Sequence, residues 1–168
     1  IYMSSIPGGW IADRITGTRG ATLIGAILII IGHICLSLPF AMVGLFTSMF
    51  FIIVGSGLMK PNISNIVGRL YPENDVRMDA GFVIFYMSVN MGALVSPIIL
   101  QHYIDIRNFH GGFLIAAIGM ALGLVWYLLF NRKTLGSIGM KPTNPLSSAE
   151  KKKYGTIIGI VVIAIVLI

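Results

Sequence analysis

The chain has 168 residues, of which 56% are hydrophobic and only 11% charged, with a mean hydropathy of +0.89. A soluble domain carries about 25% charge, so this composition excludes one and marks an integral membrane protein. The net charge of +6 would suit nucleic acid, but the basic residues sit at the ends of apolar runs, where they set membrane orientation instead.

A membrane-spanning helix needs about 20 mainly apolar residues. Residues 1–11 read as the end of one span, closed by Asp13, Arg14 and a Gly17-Thr18-Arg19-Gly20 turn. Four complete spans follow, at about 21–40, 44–68, 80–101 and 112–130. Residues 132–154 contain Gly136, Gly139, Pro142, Pro145 and a Lys151–Lys153 triplet, and read as a cytoplasmic linker that could also meet anionic lipid. Residues 155–168 read as the start of a further span. Because both ends fall inside apolar runs, the expectation is a piece of a longer multi-span chain. The single cysteine, Cys35, lies in an apolar run and cannot form an internal disulfide.

The connections orient the chain. Arg14 and Arg19, then Arg69 and Arg77, then Arg132, Lys133, Lys141 and Lys151–Lys153 all fall on one side. Arg107 alone falls on the other, and Lys60 lies within a span. By the positive-inside rule the strongly basic side is cytoplasmic.

Lys60 is the only charge between Arg19 and Arg69. An ammonium at mid-membrane costs roughly 2.5–3.5 kcal/mol on insertion scales, so it persists where it lines a polar cavity or has a partner. It lies nine residues from Arg69, roughly 13 Å along a helix, and Asn90 lies ten beyond Ala80, roughly 15 Å. Antiparallel spans would bring the two to similar depth. Phe82, Tyr86 and Asn90 share one helix face, as do Ser56, Lys60 and Ser64. Pro61 frees the carbonyl of Gly57 and predicts a bend beside Lys60; Pro97 predicts another in the next span. Alternatives stay open: Lys60 as a structural ion pair with a carboxylate elsewhere, Asn90 as interhelical glue, and Tyr86 as packing. His33 is read as a core histidine bonded to a neighbouring helix, or else a proton relay. Asp13 at a helix end is placed to pair with an arginine of a neighbouring helix. Asn62-Ile63-Ser64 fits the glycosylation pattern but lies within a span. No metal-ligand spacing, phosphate-cradling glycine loop or nucleophile–base pair stands out, so an enzyme is not expected.

Three blocks carry a resemblance: GGWIADRITGTRG, GLMKPNISNIVGRLY and GFVIFYMSVNMGALVSP. They resemble, in this order, the loop after the second helix, the fourth helix and the fifth-helix signature of the proton-dependent oligopeptide transporter family. That family is a branch of the major facilitator superfamily. Thr22 departs from it, standing where the loop signature has a branched aliphatic residue.

The resemblance covers essentially the whole chain. It implies an all-α integral membrane fold, with this chain a fragment of the N-terminal six-helix half, from the end of helix 2 through helix 6. Bacterial members add two helices between the halves, which suits the basic linker and new apolar run here. The resemblance further implies a proton-coupled symporter that imports di- and tripeptides by alternating access, with the proton as coupling ion and no other cofactor. Lys60, Asn90 and, less closely, Tyr2 match substrate-binding positions; Tyr86 joins them through its shared face with Asn90. Asp13 and Arg14, with Arg19, match the cytoplasmic gating motif. The implied partners are peptide, protons, membrane lipid and the remaining half of the same polypeptide, with no nucleic acid, in the cell membrane. Related carriers take nitrate, amino acids or other small solutes, and a non-transporting receptor on the same scaffold is a further class. The ExxER motif of the family's first helix would lie upstream.

Overall fold

The structure, a computed structural model, describes residues 3–39, 41–103, 109–147 and 150. Tyr2, Arg107, the Lys151–Lys153 triplet and the expected span at 155–168 therefore lie outside the described residues. The described residues form five α-helices: α1 (Ser5–Ile11), α2 (Gly17–Ser37), α3 (Ala41–Arg69), α4 (Arg77–Tyr103) and α5 (Phe109–Leu135). A π-helical turn, Ala12–Thr16, joins α1 to α2. Among the described residues, four stretches are long and apolar enough to cross a membrane: Ser5–Ser37, Met42–Arg69, Arg77–Gln101 and His110–Leu135. No strand occurs among the described residues. The class is all-α and multi-pass membrane.

The first stretch is not one straight rod. Gly8 of α1 meets α3 at Gly57, and Gly25 of α2 meets α3 at Gly55. Seventeen residues of straight helix would separate Gly8 and Gly25 by roughly 25 Å, yet they dock two residues apart on α3. The chain therefore folds back between them. Gly17, with φ +74° and ψ 159°, supplies the reversal, a conformation most side chains disfavour. Thr18, Arg19 and Gly20, expected to share the turn, are already the first turn of α2. The turn is thus tighter than the composition implied.

The core lies between α2 and α3. One face of α2, namely Ala21, Gly25, Ala26, Ile29 and Gly32, is buried. Small residues let the two backbones approach: a Cβ on Gly25 would meet the Gly55 carbonyl at 2.6 Å, and one on Gly55 the Gly25 carbonyl at 2.7 Å. Within a membrane such close packing replaces the hydrophobic drive between helices. The opposite faces expose large apolar side chains, for example Ile24, Ile27, Ile31 and Ile34. Thr22, the departure from the family pattern, donates its hydroxyl to the Thr18 carbonyl at 2.8 Å. Its polar group is satisfied inside its own helix.

α4 stands apart, with none of its apolar span buried. It meets its neighbours near its ends. The Tyr71 ring approaches Gly81, and Phe82 approaches Gly68 of α3. Farther along, Ser96 and Leu100 share a groove with His33 of α2 and Ile115 of α5. His33 Nδ1 is buried there without a hydrogen-bond partner among the described residues, so the expected bond to a neighbouring helix is not made. α5 runs past the expected boundary at 131 to Leu135, because Asn131-Arg132-Lys133-Thr134 extend the helix beyond its apolar stretch.

Candidate functional site

Pro61 sits inside α3 without ending it. It carries no N–H, so the Gly57 carbonyl loses its usual helical donor. That carbonyl faces α1, where it lies closest to Gly8; on the same side, a Cβ on Gly57 would meet Ser4 Oγ at 2.7 Å. The exposed backbone at Pro61 is thus covered by a neighbouring helix. Asn62 secures the crossing. It is 1% exposed, and its Nδ2 donates to the Leu58 carbonyl at 2.6 Å and to the Gly8 carbonyl at 3.4 Å. Read in the sequence only as part of an unused glycosylation pattern, Asn62 is the polar rivet between α1 and α3. The signal that could have found it is its place directly after a helix-interior proline.

Lys60 lies beside this crossing and is exposed, with no hydrogen bond or ion pair among the described residues. The stripe predicted through it is split. Ser56 is buried, Ser64 is half-buried and Lys60 points away. Four-residue steps drift about 40° each around a helix, so the three side chains do not share one environment.

Asn90 and Tyr86 are exposed on α4. Tyr86 stacks on Phe82 with ring centroids 6.4 Å apart and meets Phe85 edge-on at 5.3 Å. Phe82 also approaches Gly68. From that contact Lys60 and Asn90 are each eight residues along their own helices, roughly 12 Å. The two groups therefore stand at comparable depth on unpacked faces, and no hydrogen bond joins them. Tyr2 falls outside the described residues.

The described chain after α5 packs back on the bundle. It returns to the Asp13–Arg19 segment and bonds along it. The Asn144 amide donates to the Asp13 carbonyl at 2.9 Å, and the Leu146 amide to the Arg14 carbonyl at 3.3 Å. The Arg19 amide donates to Gly139 at 3.1 Å, and its Nη2 to Gly136 at 2.9 Å. Leu146 and Gly139 are buried as a result. We call residues 136–147 the clasp.

Among the described residues Asp13 pairs directly with no arginine. The Thr143 hydroxyl lies 3.5 Å from Asp13 Oδ1 and accepts from Arg69 Nη2 at 2.8 Å, so threonine bridges acid and base. Arg69 Nε donates to Asn65 Oδ1 at 2.9 Å. Arg14 Nη1 meets Glu150 Oε1 at 3.9 Å across a partly exposed gap. Glu150 also accepts from the Ser147 amide at 2.9 Å, and these Ser147 bonds hold its carboxyl below the usual range. Asp75 is held low by Arg77, which donates to it at 2.8 Å. Sequence reasoning missed Gly136, Gly139, Thr143, Asn144 and Leu146. Apart from the Thr143 hydroxyl their contacts are backbone or packing, and such contacts leave no side-chain signature.

The described residues form a multi-pass helical membrane bundle with small-residue helix crossings, the fold class of the major facilitator type. The family model described as POT family (PTR2) matches residues 20–163, and the chain belongs to that family. It is 46% identical over 168 residues to an uncharacterized transporter of Bacillus subtilis, YclF, covering 100% of this chain and 34% of that protein. It is 42% identical to a di-/tripeptide transporter of Lactococcus lactis, over 99% of this chain and 34% of that protein. Among solved structures, a POT family transporter in complex with 5-aminolevulinic acid is 84% identical, with a TM-score of 0.94 over 99% of this chain and 34% of its own. The chain thus spans about a third of the length of these relatives.

Proposed function

We propose that the full-length protein containing this chain is a proton-coupled importer of di- and tripeptides working by alternating access. The observation that carries this reading is the 84% identity to a transporter crystallised with 5-aminolevulinic acid and with a thioalcohol-conjugated peptide. 5-Aminolevulinic acid is a dipeptide outline: an amine and a carboxylate at dipeptide spacing, a carbonyl between them, and a methylene in place of the peptide N–H. A site that takes both ligands reads two opposite charges and the distance between them. Nitrate offers neither an amine nor that distance, so the peptide reading is favoured over other small solutes.

In this proposal Lys60 supplies the cation for one end of the substrate, and its exposed position beside the α1–α3 crossing supports that role. Asn90, at comparable depth, donates to or accepts from the peptide backbone. Tyr86, held by Phe82, and Tyr2 shape the cavity wall. The remaining part of the polypeptide supplies the facing wall, and protons drive accumulation. Asp13, Arg14 and Arg19 belong to the cytoplasmic gate, which the clasp ties to α5.

The test is uptake of labelled dialanine by the full-length protein in liposomes under an imposed proton gradient. Accumulation above equilibrium, competed by excess dipeptides but not by nitrate or free alanine, is expected. Uptake indifferent to collapse of the gradient would remove proton coupling. Competition by nitrate rather than dipeptides would remove the peptide assignment.

A further inference from the structure

A cleft of about 570 Å³ opens between the cytoplasmic ends of α2 and α5. One end of its wall is polar, built from Thr16, Arg19, Asn131 and Arg132; the other is apolar, with Leu23 and Leu128. No carboxylate lines it. Arg19 is only 8% exposed, and while its Nη2 is engaged by Gly136, its Nε has no hydrogen-bond partner among the described residues. The Tyr127 hydroxyl, on the same wall, is likewise buried without a partner. Two guanidinium charges on a wall without a carboxylate favour an anion in the cleft. The positive end of the α2 dipole adds to the same preference.

We propose that this cleft binds the phosphate headgroup of an anionic phospholipid of the cytoplasmic leaflet. The phosphate accepts from the exposed Arg132, beside the Arg19 side chain that lines the same wall, and an acyl chain lies along Leu23 and Leu128. The polar-to-apolar gradient along one wall separates this ligand from free phosphate, which has no use for the leucines. The basic side of the chain is the cytoplasmic one, where the leaflet carries negative lipid. Arg19 also anchors the clasp, so a bound lipid braces the joint between the Asp13–Arg19 segment and α5. This inference concerns lipid and stands whether or not the substrate is a peptide.

The experiment is native mass spectrometry of the full-length transporter in detergent. Phosphatidylglycerol, phosphatidylcholine of the same acyl chains, and inorganic phosphate are added in turn. A single tight adduct with phosphatidylglycerol is expected, held more strongly than phosphatidylcholine and not displaced by equimolar inorganic phosphate. Arg132→Gln weakens it about fivefold, the usual worth of one basic residue at such a surface. Lys141→Gln, an exposed charge that does not line the cleft, leaves it unchanged. Equal retention of both lipids, equal loss in the two variants, or displacement by inorganic phosphate would each overturn the assignment. Because Arg132 is exposed and its removal leaves the clasp bonds intact, misfolding does not obscure the result.

Discussion

Arg19 Nη2 donates to the carbonyl of Gly136 at 2.9 Å, joining residues 117 apart in the chain. With the Arg19 amide bonded to Gly139, one residue at the start of α2 holds the stretch that leaves α5. The segment between α1 and α2 is thus tied to the chain that leaves the neighbouring helix α5. Any change in the Asp13–Arg19 segment must therefore move the clasp or break its bonds.

Gly17→Ala is expected to destabilise the protein by about 1–3 kcal/mol, the cost of forcing a side chain into a strained backbone region. Here the strain is joined by a clash. A Cβ on Gly17, at φ +74°, would also meet the Gly139 carbonyl at 2.7 Å. Gly9→Ala is the control: it is helical, with nothing within 4 Å of the added Cβ, and should be neutral or slightly stabilising. Thermal melting of the two full-length variants in detergent checks this. Equal melting temperatures would remove the tight turn from the argument.

The clasp predicts slow amide exchange where a linker would exchange freely. The Asn144 and Leu146 amides are donors to Asp13 and Arg14, and should exchange at least about tenfold more slowly than an open chain. Asn144→Pro removes one donor outright. Exchange across 138–147 should then rise, while α2 and α3 stay protected. Free exchange of 138–147 in the unaltered protein would show that the clasp is not closed in solution.

Acid should loosen the end of the clasp, and only strong acid. The Glu150 carboxyl is held low by the Ser147 amide and hydroxyl, with Arg14 helping. A depressed folded-state pKa gives a contribution that is complete above the ordinary glutamate value of about 4.3 and is lost as pH falls through the lower folded value. Protection of the Ser147 and Glu150 amides, relative to the intrinsic exchange rate at each pH, should be flat from pH 7 to 5 and fall below about 4, a fall that reads as a rise in opening. Glu150→Gln should abolish that rise. A transition near pH 6 would mean that another group controls the clasp.

Much of the fold was legible because the membrane imposes a coarse rule. Apolar runs closed by Arg14, Arg69, Arg77 and Arg132 marked the helices, and the ends slipped only where α5 continued through Asn131–Thr134 into polar sequence. The reversal at Gly17 was readable from glycine chemistry. What could not be read was pairing through the backbone. Asn144 and Leu146 act through their amides and Gly136 through its carbonyl, and any residue type supplies those. The Asp13–Thr143–Arg69 bridge was half legible: the charges were visible, but the intervening hydroxyl lay 130 residues from Asp13. Lys60 and Asn90 were found as costly polar groups in apolar helices, whereas the buried face of Ser56 depended on how far a four-residue stripe drifts around α3.

Asn62 offers the sharpest link from packing to the proposed site. It ties α3 to α1 directly beside Lys60 through its bond to the Gly8 carbonyl, and bonds the Leu58 carbonyl within α3. Asn62→Leu keeps the branched outline, with somewhat larger methyl groups, and removes both bonds. Hydrogen bonds between membrane helices average about 0.6 kcal/mol, reaching about 1.7, so the loss of stability should be modest and the protein should still fold. α1 would then sit less firmly against Gly57, and Lys60 would lose its fixed relation to α1. Peptide affinity should fall several-fold with little change in maximal uptake rate, whereas Lys60→Ala should lower both. Measuring KM and maximal rate for dialanine uptake in the full-length variants separates the two. If Asn62→Leu melts as expected yet binds peptide as tightly as the unaltered protein, the α1–α3 crossing does not position the site.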